Sequence, residues 1–312
     1  MTNLQHLIFS RFIAISCIIL ICLSCKKDEK EYYPELVFPV DTYYVSQGAD
    51  LRVYIQQGNG VYDITTADAD ILEFKKDEQF WPAGAITIKG LKKGSTTLTV
   101  NDIGNNKSVA LTVYVVDPFL MLQIGSPIPQ FKWKEGVIQN EDKANEIRNE
   151  ILKFNNFEPQ NILILKSGTS TEYLLFKDIN HIQPSHAIGE GSFVFSTNLS
   201  SEPLLTLTDK QTKKQKKLPL YFYQNRAPDL LFNFLNFPSK SVRELTASTG
   251  AVKLSTSVVE PIENKFLYFQ DISAQIKDKY PEVDTAELYQ DVTIIKDFHN
   301  QGVKIGPGIL TL

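Results

Sequence analysis

Short apolar runs separated by turn residues dominate the chain from residue 36 onward. Leu36-Val37-Phe38 opens the pattern. Leu51, Val53 and Ile55 then alternate with Arg52 and Tyr54, stop at Gln57-Gly58-Asn59-Gly60, and give way to Val61–Thr65. Alternation on both sides of a glycine-rich break predicts a hairpin. Further strands are predicted at Ile71–Phe74, Ala85–Lys89, Thr96–Val100 and Val109–Val115, the last two flanking the turn-rich Asp102–Asn106. No helical period separates these runs, so residues 36–117 read as a β-sandwich. Asp117-Pro118 marks the boundary, because proline ends a strand ladder.

The remainder, 118–312, mixes periods. Ala144, Ile147, Ile151 and Phe154 share one face of a helix predicted over Gln139–Phe154, with Asn140 as cap and Glu141 and Asp142 in its first turn. Strands are predicted at Asn161–Leu165, Glu172–Phe176, Phe193–Phe195, Leu204–Thr208, Leu218–Tyr223, Lys265–Phe269 and Glu287–Phe298. Leu204–Thr208 pairs most simply with Leu218–Tyr223, leaving Asp209–Lys217 as a charged tip. A short helix over Asp271–Lys279 is capped by Asp271 or Ser273 and stopped by Pro281. The whole reads as mainly β: a sandwich followed by a strand-dominated α+β domain, with a second sandwich-like piece ending near Tyr223 and a sub-boundary near 225.

The first residues carry a different signal. Phe12–Leu23 is an apolar run preceded by Arg11 and followed by Ser24-Cys25. It is shorter than the roughly 20 residues a spanning helix needs. Cys22-Leu23-Ser24-Cys25 resembles the bacterial lipobox, with Cys22 where that family usually has leucine. The resemblance implies cleavage after residue 24 and a diacylated, and in most such proteins further acylated, Cys25 as the first residue. Two or three acyl chains, at ~0.8 kcal/mol per buried methylene, hold a protein essentially permanently in a bilayer. Residues 25–35 then form a charged tether, whose Lys26-Lys27-Asp28-Glu29 resembles the export run of surface lipoproteins of the Bacteroidota. The expected location is the outer membrane, exposed at the cell surface.

A second resemblance rests on Ile86–Val100, with its isoleucine pair, Gly90, Leu91, Gly94 and Thr96-Thr97-Leu98-Thr99-Val100. This is similar to the end of bacterial Ig-like domains of the Big group. It implies an Ig-like sandwich that spaces or adheres and carries no catalytic residues.

Charge and cysteine content narrow the partners. The formal charge is −4, and losing residues 1–24 removes Arg11 and no acid, giving −5. An acidic balance disfavours a nucleic-acid ligand. Cys17, Cys22 and Cys25 are the three cysteines, so a chain starting at an acylated Cys25 has none for a disulfide, metal site or nucleophile. His181 and His186 are separated by Pro184, which argues against a helical metal motif. They read as loop histidines, and no metal or cofactor is expected. Gly189 and Gly191 read as a turn, and Gly168-Thr169-Ser170-Thr171 lacks the nucleophile-elbow pattern. Asp291 with Asp297, and Glu282 with Asp284, are acid pairs of a kind common on surfaces. The lysines between 210 and 217 read as a solvated tip blunting a sheet edge. Trp81, Trp133 and Tyr221-Phe222-Tyr223 are the aromatic candidates for stacking on sugar rings.

The expectation is therefore a lipid-anchored envelope protein without enzymatic activity, an Ig-like stalk presenting a distal domain that binds a glycan or a host or matrix ligand. The alternatives are a structural subunit of an outer-membrane or fimbrial assembly, and a glycan-active hydrolase.

Overall fold

The computed structural model describes residues 34–77, 83–198, 201–222, 231, 234–235, 265–295, 299, 303–306 and 308–310. The chain is mainly β. The signal segment, Cys25 and Trp81 lie outside the described residues. Among the described residues no helix is long and apolar enough to cross a membrane.

Seven strands build the first unit: β1 (Thr42–Ser46), β2 (Asp50–Tyr54), β3 (Tyr62–Thr66), β4 (Leu72–Asp77), β5 (Ala85–Gly90), β6 (Gly94–Asp102) and β7 (Lys107–Val116). They form two sheets, ordered β1-β7-β6-β3 and β2-β5-β4, whose inner faces meet over Tyr43, Val53, Ile88, Leu98 and Leu111. The hairpin expected between Leu51–Ile55 and Val61–Thr65 does not form. β2 pairs with β5 and β3 with β6, in different sheets. The Gln57–Gly60 stretch is a crossover: Asn59 Nδ2 donates to Asp102 Oδ1 at 2.7 Å, and the Tyr62 hydroxyl accepts from Gly60 N–H at 2.9 Å. Asp102 is buried and also accepts from Asn105 N–H at 3.2 Å, which orders the β6–β7 turn. Strand β1, parallel to β7, was not anticipated. At Gly94 an added Cβ would lie 2.8 Å from Ile71 Cδ1, the mobile end of that side chain.

The second unit is a closed barrel of eight strands: β8 (Phe119–Trp133), β9 (Ile162–Ser167), β10 (Thr171–Phe176), β11 (Ala187–Asn198), β12 (Ser201–Asp209), β13 (Gln215–Phe222), β14 (Lys265–Asp271) and β15 (Val283–Ile294). Each pairs antiparallel with its sequence neighbour, and β15 closes on β8. This corrects two expectations. There is no second sandwich ending near Tyr223, and no sub-boundary near 225, because β13 and β14 on either side are hydrogen-bonded neighbours in one barrel. The expected pairing of Leu204–Thr208 with the strand at 218 does hold, Leu205 facing Leu218. The charged tip blunts no edge, since closure leaves β12 and β13 none. Leu122, Leu163, Leu165, Phe193, Leu207, Leu220 and Phe266 fill the interior as a packed core.

Gly189 and Gly191 are not in a turn but inside β11. A Cβ on Gly191 would lie 2.0 Å from the Thr208 carbonyl oxygen, whereas one on Gly189 meets nothing nearer than 3.5 Å. Gly191→Ala is therefore expected to destabilise by about 1–3 kcal/mol and Gly189→Ala by much less. Urea titration of both variants checks the contrast, and equal midpoints would remove the packing argument.

Strand β8 exceeds the barrel. Phe119–Gln123 pairs with β9 and Leu122–Trp133 with β15, so beyond Gln123 the ladder continues with β15 alone, Ile124 keeping backbone hydrogen bonds to Gln160 and Asn161. Two residues of β8, Gly125 and Ser126, separate Ile124 from Pro127 where one of β15, Asp291, separates Val292 from Gln290, so β8 carries a bulge at Gly125 and Ser126. One extra residue reverses which side chains face inward. Leu120, Leu122 and Ile124 line the barrel before it, and Phe131 and Trp133 face the same side after it.

That side of the β8–β15 ribbon is covered by two helices, α1 (Glu141–Leu152) and α2 (Ser273–Lys279). Asn140 caps α1 as expected, its Oδ1 accepting from Lys143 N–H at 3.0 Å, and Ala144, Ile147 and Ile151 are its buried face. At α2 Asp271 Oδ1 accepts from Ser273 N–H at 2.9 Å. Ile272, Ile276, Tyr280 and Leu288 complete this core.

Candidate functional site

In an up-and-down barrel, alternate connections lie at opposite ends. The β7–β8 link and the β9–β10 turn share one end. The α1 segment, residues 177–186, the tip at 210–214 and α2 share the other. The sequence-nominated Trp133 thus sits at the end remote from the sandwich.

There the last residues of β8, the loop after it and the first turns of α1 enclose an open groove of about 910 Å³. Its aromatic wall is Phe131 and Trp133, whose rings meet edge to face at 5.1 Å between centroids. Both are half-buried against the helix core, so their outer faces are held rigidly. Opposite stands α1, where Asn140 and Glu141 open the helix and Arg148 reaches across. The Arg148 guanidinium lies 5.9 Å from the Phe131 ring centre and donates to Glu141 Oε1 and Asn145 Oδ1, each at 2.8 Å. Gln130 and Gln139 add side-chain amides. Two aromatic edges with fixed donors and acceptors around them suit a ligand with apolar C–H faces and many hydroxyls.

A second aromatic group lies on the barrel wall. Tyr221 is 5.0 Å from Phe269, which is 5.2 Å from Tyr289. Of the expected stacking residues, Tyr221 therefore joins a cross-strand cluster. Tyr223 lies outside the described residues, as does Trp81.

His181 and His186 are brought together. Each ends a short 3-10 turn, Ile179–His181 and Pro184–His186, and the ring centres are 5.7 Å apart. His181 Nδ1 is 2.6 Å from Asp178 Oδ1, and this hydrogen bond holds the Asp178 carboxyl below its usual pKa. Among the described residues no group of three or more His, Cys, Asp or Glu side chains converges to hold a metal. Glu282 has Lys143 Nζ at 3.9 Å, while Asp297 lies outside the described residues. Ser170 Oγ donates to Glu172 Oε1 at 3.0 Å, a carboxylate that Lys166 and Ser170 hold below its usual pKa. In the lysine tip, Asp209 Oδ1 accepts from the N–H groups of Gln211 and Thr212, and Lys216 Nζ donates to Asn156 O at 3.1 Å while lying 4.9 Å from the Phe157 ring centre.

One buried histidine carried no sequence signal. His299 is 3% exposed where the C-terminal segment meets the sandwich. Its Nε2 accepts from Tyr44 N–H at 3.2 Å, its ring lies 4.8 Å from that of Tyr43, and desolvation pushes its pKa down to about 3. Around it Val116, Met121, Ile162, Ile305 and Ile309 form a core shared by both units. Beside that core an apolar cleft of about 400 Å³ is lined by Leu51, Phe119, Met121 and Ile295.

No protein-family model matches the chain, and no curated protein matches it. Among solved structures it is similar to parts of the S-layer protein SbsC. Domains 4 and 5 match at 19% identity over 27% of this chain and 46% of that one, with a TM-score of 0.23. Domains 5-6 match at 12% identity over 60% of this chain and 96% of that one, also at 0.23. Domains 4-9 match at 11% identity, covering 33% of their own length, again at 0.23. Likeness this slight leaves the fold and function of this chain to its own residues.

Proposed function

We propose that this is a lipid-anchored cell-surface protein that binds a glycan or a glycan-bearing matrix ligand in the groove between β8 and α1. Cys25, acylated, holds the chain in the outer membrane, the sandwich spaces it from the surface, and the barrel presents the groove on its far end. The observation that carries the reading is the pairing of Phe131 and Trp133 with Gln130, Gln139, Asn140 and Arg148 around one open groove. Catalysis forms no part of the proposal. Closure of the barrel weighs against assembly through an edge strand of the outer unit.

The test is a glycan array probed with a soluble form spanning residues 32–312, followed by titration of each hit. Trp133→Ala is expected to weaken binding by about 30-fold, the ~2 kcal/mol of an aromatic anchor. Because Trp133 also packs on the helix core, Arg148→Ala at the groove rim serves as a second variant and should weaken binding without lowering the melting temperature. Unchanged affinity in both variants, or no glycan bound by the parent chain, would defeat the proposal.

A further inference from the structure

We infer that His181 and His186 form a two-imidazole site for a borderline transition-metal dication such as Zn²⁺. The geometry is specific. A Zn–N distance of about 2.0–2.1 Å places an imidazole centre roughly 3 Å from the metal, so two rings on one tetrahedral ion have centres ~5 Å apart, widening to ~6 Å at larger angles. The observed separation is 5.7 Å. Asp178 Oδ1 lies 2.6 Å from His181 Nδ1 and accepts from it, so a metal would be taken by His181 Nε2. This carboxylate–imidazole arrangement is the outer support that metal-bound histidines ordinarily have.

The backbone beneath is set before any ion arrives. Ile182, between the two turns, is 1% exposed in the core shared by both units. Its carbonyl accepts from Gly306 N–H at 2.8 Å, and His186 N–H donates to Gln183 O at 2.9 Å. Pro184 starts the second turn, whose last residue is His186. Both histidines are exposed, so water or a donor atom from a partner completes the coordination. Two neutral imidazoles favour zinc, copper or nickel over calcium or magnesium.

The test uses the full chain in detergent, titrated with ZnCl2 in a calorimeter. One ion per chain is expected, with a dissociation constant tighter than about 1 mM. His181→Ala and His186→Ala should each weaken binding at least about 10-fold, and Asp178→Asn by about 10–100-fold. A readout on the parent chain needs no variant. Cleavage before Cys25 leaves three of the four histidines, 181, 186 and 299, and Ni²⁺ should broaden the imidazole proton resonances of His181 and His186 before that of His299. Saturable binding undiminished in a His181→Ala/His186→Ala double variant, or none below about 1 mM, overturns the inference.

Discussion

Acidification from pH 7 to pH 4 is expected to loosen the union of sandwich and barrel, with His299 as its largest single cause. The histidine is 3% exposed, and burial pushes its pKa from 6.5 to about 3. A base whose folded pKa lies below its unfolded value binds more protons when unfolded. Its stabilising effect is complete above pH 6.5 and is lost as pH falls from there toward 3. At pH 4 the unfolded imidazole is charged and the folded one still neutral, a penalty of about 3 kcal/mol at 1.36 kcal/mol per unit. Tyr43 and Tyr44, the titratable groups that β1 presents to the ring, have their pKa values raised by burial and remain neutral across this range. His299→Phe keeps an aromatic ring against Tyr43 but removes the acceptor for Tyr44 N–H, at a cost of about 1 kcal/mol at neutral pH. Urea unfolding of parent and variant between pH 7.5 and 4 measures the effect. Their stability difference should shrink and then change sign on acidification. A difference that stays constant with pH would show that His299 is not the sensor.

Gln290→Ala is expected to cost about 3–4 kcal/mol, combining a cavity with stranded polar groups. Gln290 is fully buried in β15 beside the bulge. Its Nε2 donates to the carbonyls of Gly125 and Phe157, each at 2.9 Å, and its Oε1 accepts from the Tyr268 hydroxyl. One side chain thereby ties the bulge of β8 to the loop whose Phe157 packs into the barrel core. Tyr268→Phe should cost only about 1 kcal/mol, because it removes one donor and leaves the carbonyls served. The double variant should fall short of the sum of the single costs, since the hydroxyl is stranded only while Tyr268 is present. Denaturant midpoints for the three variants check this, and strict additivity would mean that the groups do not act together.

The longest strand shows why the barrel was hard to read. Phe119–Ile124 is apolar enough for a buried strand, but Pro127 and Pro129 follow and argue against continuing it. The strand tolerates them because beyond Ile124 it pairs on one side only, leaving positions where no N–H is needed. Gly189 and Gly191 misled in the opposite direction: glycine is as much a mark of close backbone approach as of a turn. The hairpin error at Gln57–Gly60 has the same root, since a glycine-rich break signals a change of direction and not the partner of the next strand.

Local pattern determined the secondary elements with local causes: the Asn140-capped helix, the β12–β13 hairpin, the alternation of β6 and β7, and Ile162–Leu165 as a strand buried on both faces. These depend on periods of 2 and 3.6 and on caps a few residues away. Tertiary structure decided the rest. Closure required β15 to find β8 across more than a hundred residues, and a one-residue bulge set the face on which Phe131 and Trp133 lie, where Arg148 reaches the Phe131 ring. His299 became a buried neutral base only by meeting Tyr43 and Tyr44, 255 residues from the latter. Contacts of that range arise from packing energy summed over the whole chain, and no window of sequence contains it.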